Sequence, residues 1–137
     1  MRSLIALGAF LACVPFVWTQ NSSFPDISDF TKSPTEHIIN QVYEPFQVKA
    51  VTGTITFDGS DEGVPAVLFE IEGPGSQRTM RHGMTDRHGH FKISHVPQGT
   101  YKFKATLNAY QSVVGTIVVS KQAAKLSDIK IRMRVGM

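Results

Sequence analysis

The five histidines, the 11 acidic side chains and the lone cysteine of this 137-residue chain are what it has for metal or nucleophilic chemistry. His82, His88 and His90 gather around one turn, close to Asp86. Imidazole suits zinc, copper or nickel. No fourth ligand and no fixed metal spacing accompany the three, so hairpin residues in solvent are the expectation. Asp58, Asp61 and Glu62 crowd another turn, without the regular alternation of a calcium loop, and are read as solvated too. No Ser-His-Asp order, phosphate-cradling glycine loop or nucleophilic cysteine is present. No catalysis, metal or cofactor is expected.

Binding chemistry has more to work with. Sugars stack on exposed aromatic faces, and outside the first twenty residues, which hold the single tryptophan Trp18, the candidates are Tyr43, Phe46 and Tyr110. Lys130, Arg132 and Arg134 alternate along the last predicted strand, as do Lys102 and Lys104 along another. If those strands share a sheet, five cations meet an anionic lipid, a polysaccharide or an acidic protein. Lysines on an edge strand also prevent edge pairing, which is their commoner use. The formal charge of +3 falls to about +2 if Arg2 is removed, too little to argue for nucleic acid.

What must position these residues is one domain, since the length does not allow two cores. A hydrophobic share of 42%, a charged share of 18%, 11 Gly and 7 Pro exclude a disordered tail, a collagen repeat and a coiled coil. Arg2 and the apolar run LIALGAFLACVPFVW at 4–18, followed by Thr19 and Gln20, have the form of a secretory signal peptide at 1–19. The run is short of the roughly twenty apolar residues of a membrane span, and Pro15 interrupts it. A secreted or periplasmic protein with no span in its mature chain follows, with lipid attachment at Cys13 as the alternative. Losing Cys13 with the signal leaves no disulfide. Asn21-Ser22-Ser23 is an N-glycosylation sequon.

Residues 20–46 form a leader. Ser33-Pro34-Thr35-Glu36 reads as a capping box with proline at the first helical position, and Pro45 as a stop, so a short helix is predicted over 34–44. Ile38, Ile39, Val42 and Tyr43 would give it an apolar stripe, to dock on the domain or to meet another protein.

From residue 47 the pattern has period two. Strands are predicted at 48–57, 64–72, 78–85, 90–95, 101–107, 111–119 and 127–135, separated by turns rich in Gly, Pro and Asp. Val51, Ile55, Val67, Phe69, Ile71, Tyr101, Phe103, Ile129, Ile131 and Met133 face inward; Glu70, Glu72 and the lysines face water. Seven strands without crossover helices imply an all-β, seven-stranded antiparallel sandwich.

Gly53, Asp58-Gly59, Thr85-Asp86-Arg87-His88-Gly89-His90-Phe91 and Val96-Pro97-Gln98-Gly99-Thr100-Tyr101 together resemble carboxypeptidase regulatory-like domains, over 47–137. The resemblance implies a transthyretin-like, carbohydrate-binding-like sandwich, in a stand-alone secreted protein here. Such domains are usually non-catalytic companions of metallocarboxypeptidases, outer-membrane receptors or extracellular proteins. No histidine here begins a His-x-x-Glu spacing, so the peptidase's own zinc residues are absent, as is the Tyr-Arg-Gly-Ser ending of the related urate-pathway hydrolases. Where the family often has Gly-Tyr, this chain has Ala109-Tyr110, with Asn108 expected to supply the turn. The resulting expectation is a binding or structural module that contacts an extracellular or envelope protein, with a carbohydrate-binding module as the alternative.

Overall fold

The computed structural model describes residues 26–74, 79–124 and 127–136. The expected signal segment 1–19, the lipid alternative at Cys13 and the sequon at Asn21 lie outside the described residues. Among the described residues the chain is all-β, with no helix, and nine strands form two sheets.

The larger sheet runs β1 (Ile39–Gln41), β8 (Ser112–Val119), β7 (Gly99–Thr106), β4 (Leu68–Glu72) and β5 (Met80–Met84), and β2 (Phe46–Val48) also pairs with β8. The smaller sheet is β6 (His90–Ile93), β3 (Val51–Phe57) and β9 (Ile129–Met133). Each of the seven predicted stretches contains one strand. The count of seven is nevertheless corrected to nine by β1 and β2, and the antiparallel expectation to two mixed sheets. β9 runs parallel to β3, with Ile55 opposite Ile131, and β1 and β2 run parallel to β8. These partners are far apart in sequence, so no hairpin dictates their direction.

The predicted helix over 34–44 is absent. A lone helix of that length is marginal in water, Ile38, Ile39 and Val42 are β-branched, and β8 offers them a backbone ladder. Ile39 pairs with Ser112 and Gln41 with Val114, and the Val42 N–H donates to the Val114 carbonyl at 2.8 Å. Ser33-Pro34-Thr35-Glu36 makes a single turn, closed by the Glu36 N–H on the Ser33 carbonyl at 3.1 Å.

The two sheets face each other across rings. Phe69 of β4 stacks on Phe91 of β6 with centroids 4.2 Å apart, and on Phe103 of β7 at 5.3 Å. Val51, Ile55, Ile129, Ile131 and Met133 fill the layer from one side, and Ile71, Tyr101, Val113 and Ile117 from the other. Burying a Val, Leu, Ile, Phe or Met side chain stabilises by roughly 1.5–3 kcal/mol, so this layer is the main support of a fold without a described disulfide. Gly53 sits in the inward series because a Cβ there would strike the Ile129 backbone and the Phe91 ring. Gly89 closes the hairpin into β6 at φ 79°, a conformation that glycine adopts without steric cost.

Candidate functional site

The outer face of the larger sheet is polar in sequence and, at Glu70, Glu72 and Lys104, buried in the fold. Glu70 lies opposite Lys104, and Glu72 opposite Lys102, in the β4–β7 ladder. The leader crosses this face and satisfies it. The Thr31 N–H and hydroxyl donate to the two Glu70 carboxylate oxygens at 2.9 and 3.1 Å. Lys104 donates to the Thr31 carbonyl at 2.9 Å and pairs with Glu36 at 2.7 Å. The Ser112 hydroxyl donates to the same Glu36 oxygen.

The Lys104 side chain is 1% exposed and that of Glu36 5%. Burial pushes the Glu36 carboxyl up, and the hydrogen bonds from Lys104 and Ser112, with the Lys104 charge, more than offset it and hold the group below its ordinary 4.5. Thr35 fastens the far end: its hydroxyl donates to Asn108 Oδ1 at 3.0 Å and accepts the Ala109 N–H at 2.8 Å. Phe30, within the leader, is buried, and a hollow of about 330 Å³ lies among Ile27, Phe30, Glu36, His37 and Lys104.

Two expectations are corrected here. Glu70, Glu72 and Lys104 are not on a wet face but buried, and the leader contacts Glu70 and Lys104 directly. Lys102 and Lys104 do not share a sheet with Lys130, Arg132 and Arg134, so no five-cation surface forms. Lys104 is an internal anchor, and Lys102, which is exposed, reaches the Asp26 carbonyl at 3.3 Å.

The smaller sheet has a different outer face. Thr52, Thr54 and Thr56 line its middle strand, His90 and Lys92 stand on one flank, and Lys130 and Arg132 on the other. Thr54 hydrogen-bonds to His90 Nδ1 at 3.1 Å, and Thr52 donates to Asp128 at 3.1 Å. A trough of about 400 Å³ runs along Thr54, Thr56, Asp61, Lys130 and Arg132.

Around the rim of β9 lies a second groove of about 330 Å³, between the two sheets. Val42, Phe46, Val113 and Ile131 supply apolar wall, and Lys130, Arg132 and Arg134, with the carboxylate Asp58, supply charge. Four of the eight candidate contact residues therefore meet in one place: Phe46, Lys130, Arg132 and Arg134. Arg134 pairs with Asp58 at 2.7 Å, and both are exposed.

The remaining aromatics do not assemble into a sugar platform. Tyr43 is 83% exposed. Phe46 turns onto Phe103 at 5.9 Å, and Tyr110 onto Phe57 at 5.9 Å. The 107–110 turn differs from expectation as well: Ala109, at φ 70°, takes the left-handed position, not Asn108. Among the described residues no three His, Cys, Asp or Glu side chains gather to hold a metal ion. Asp86 works in the hairpin, where the N–H groups of His90 and His88 hold its carboxyl below the usual range.

Sequence reasoning missed the buried group at Glu36, Thr31, Glu70 and Ser112. A signal was there, in acidic residues at 70 and 72 and lysines at 102 and 104 on strands of one sheet. What no spacing showed was that the leader lies over them. Comparison with known proteins gives one family match: residues 50–134 fit the family described as carboxypeptidase regulatory-like domain. No curated protein matches the chain.

Proposed function

The chain belongs to the carboxypeptidase regulatory-like domain family, a regulatory and non-catalytic domain type, and from that premise we propose that it acts by contact with another protein. The contact surface is the groove beside β9. The observation that carries this reading is the meeting of Phe46, Lys130, Arg132 and Arg134 there, an apolar anchor ringed by exposed cations. Aromatic and arginine side chains are the residues that most often dominate protein interfaces.

The working place is the cell envelope or the exterior, a reading supported by the apolar run at 4–18 and the polar residues that follow it. Among the described residues no helix is long and apolar enough to cross a membrane. Intact-mass measurement of the protein purified from its host checks this: a chain starting at or near Gln20 is expected, and one that retains its first twenty residues overturns it.

Cross-linking of the mature chain within an extracellular or envelope fraction tests the contact itself. Attachment of a defined protein through residues beside β9 is the expected result. Retention on a glycan array that disappears in Tyr110→Ala, with no protein attached, would replace this reading by a carbohydrate-binding module.

A further inference from the structure

The groove beside β9 has an unused backbone as well as side chains. β9 is the last strand of its sheet and pairs with β3 alone. The Met133 carbonyl accepts the Asp58 N–H at 2.9 Å and so faces β3. Backbone groups alternate along a strand, so Ile129 and Ile131 face β3 too, while the N–H and C=O of Lys130 and Arg132 point the other way. The next residue in that second series agrees: the Arg134 carbonyl accepts the Gln111 N–H at 2.9 Å, away from β3. The outward rim of β9 is thus closed beyond Met133 by 109–111, where the Gly136 N–H also donates to the Ala109 carbonyl at 2.8 Å. At Lys130 and Arg132 it has no backbone partner among the described residues.

We propose that β9 accepts an extended segment of a partner protein as an added strand, hydrogen-bonded at Lys130 and Arg132, with acidic and apolar residues in alternation. The proposal rests on the protein-contact reading and specifies its partner. Added strands take their affinity from main-chain hydrogen bonds and their specificity from alternate side chains. Here the two sets are sorted by face: Val42, Phe46, Val113 and Ile131 meet the apolar side chains of the incoming strand, and Lys130 and Arg132 meet its carboxylates. Arg134 is already engaged by Asp58 and adds less.

The same charges select against a second copy of this chain. Pairing β9 with β9 would set cations against cations, and like charges directly opposite are destabilising. Edge cations of this kind prevent self-association while leaving the edge open to a strand of opposite charge.

The test uses the isotope-labelled mature chain and a capped peptide of about eight residues alternating Val and Glu, long enough to span β9. Amide exchange at Lys130 and Arg132 is expected to slow by about tenfold or more when the peptide saturates, while Ile129 and Ile131, already bonded to β3, change little. The double variant Lys130→Glu with Arg132→Glu is expected to lose about tenfold in affinity for this peptide and to gain a peptide alternating Val and Lys. The native chain with a peptide N-methylated at alternate residues supplies a second arm that does not depend on a variant folding, and loss of binding is expected there. The proposal is overturned if the Val-Glu peptide binds more weakly than about 1 mM, binds without slowing Lys130 and Arg132, or tolerates N-methylation. A cross-linked protein that survives the double variant would overturn strand addition and leave protein contact standing; a response to glycans alone would overturn protein contact itself.

Discussion

Two polar sheet faces in this molecule have opposite fates. The face of β4 and β7 carries Glu70, Glu72, Lys102 and Lys104, and the leader binds Glu70 and Lys104 there; the face of β3, β6 and β9 carries three threonines, His90, Lys92, Lys130 and Arg132 without such a cover among the described residues. The first has opposite charges paired across its strands, and the leader brings the hydroxyl, amide and carboxylate that complete them. The second has an excess of one sign. Burying a polar group costs several kcal/mol unless its hydrogen bonds are replaced, so a chain covers the face that it can satisfy.

The sharpest way to break this contrast is at Lys104. Lys104→Ala leaves Glu36 buried without its cation and is expected to cost about 3–5 kcal/mol in urea unfolding, whereas Lys130→Ala stays within about 0.5 kcal/mol. A similar small loss at both positions would erase the distinction between the faces.

Acid should act on the same side through Glu36. The Glu36 carboxyl is held below its ordinary 4.5, so its stabilisation is complete above that value and disappears as the pH falls through the lowered one. The thermal midpoint of the native chain should fall more steeply than that of Glu36→Gln over this range; parallel curves would show that Glu36 does not fasten the leader.

Thr35→Val tests the far end of the leader. It deprives the Ala109 N–H of its acceptor and should cost about 1–2 kcal/mol by denaturant unfolding, with faster amide exchange at Ala109. Ala109→Gly should stabilise the same turn by about 0.5–1 kcal/mol, because the left-handed φ of 70° strains an alanine and glycine adopts it freely, less the entropy that glycine adds to the unfolded chain. The smallest effect is expected on the bare side, where Arg134→Ala breaks a solvent-exposed pair with Asp58 and should move the urea midpoint by an amount equivalent to about 0.5 kcal/mol or less.

Much of the fold was legible because its signals are local. β-Branched residues at period two, interrupted by Asp-Gly and Pro-x-Gly, place a strand in each predicted stretch, and the inward set from Val51 to Met133 is the observed core. The leader was misread for the same reason. Ile38, Ile39, Val42 and Tyr43 fit a helical stripe by spacing, and only the presence of β8 beside them shows why they extend instead. Of the candidate contacts, Phe46, Lys130, Arg132 and Arg134 were recognisable by type, but their meeting depends on β2 and β9 lying on the same open side. Lys104 was recognisable as a cation and misplaced, because exposure is a property of what covers a residue.

The sequence by itself determined the alternating strands from residue 47 on, the turns between them and the membership of its family, since period-two burial and turn chemistry act over a few neighbours. Only the tertiary structure decided strand direction, the burial of Lys104 with Glu36, and the unpaired rim of β9. Those depend on contacts between residues some seventy apart, such as Glu36 and Ser112, Thr35 and Ala109, or Ile55 and Ile131, whose energies exist only once the chain has folded back on itself.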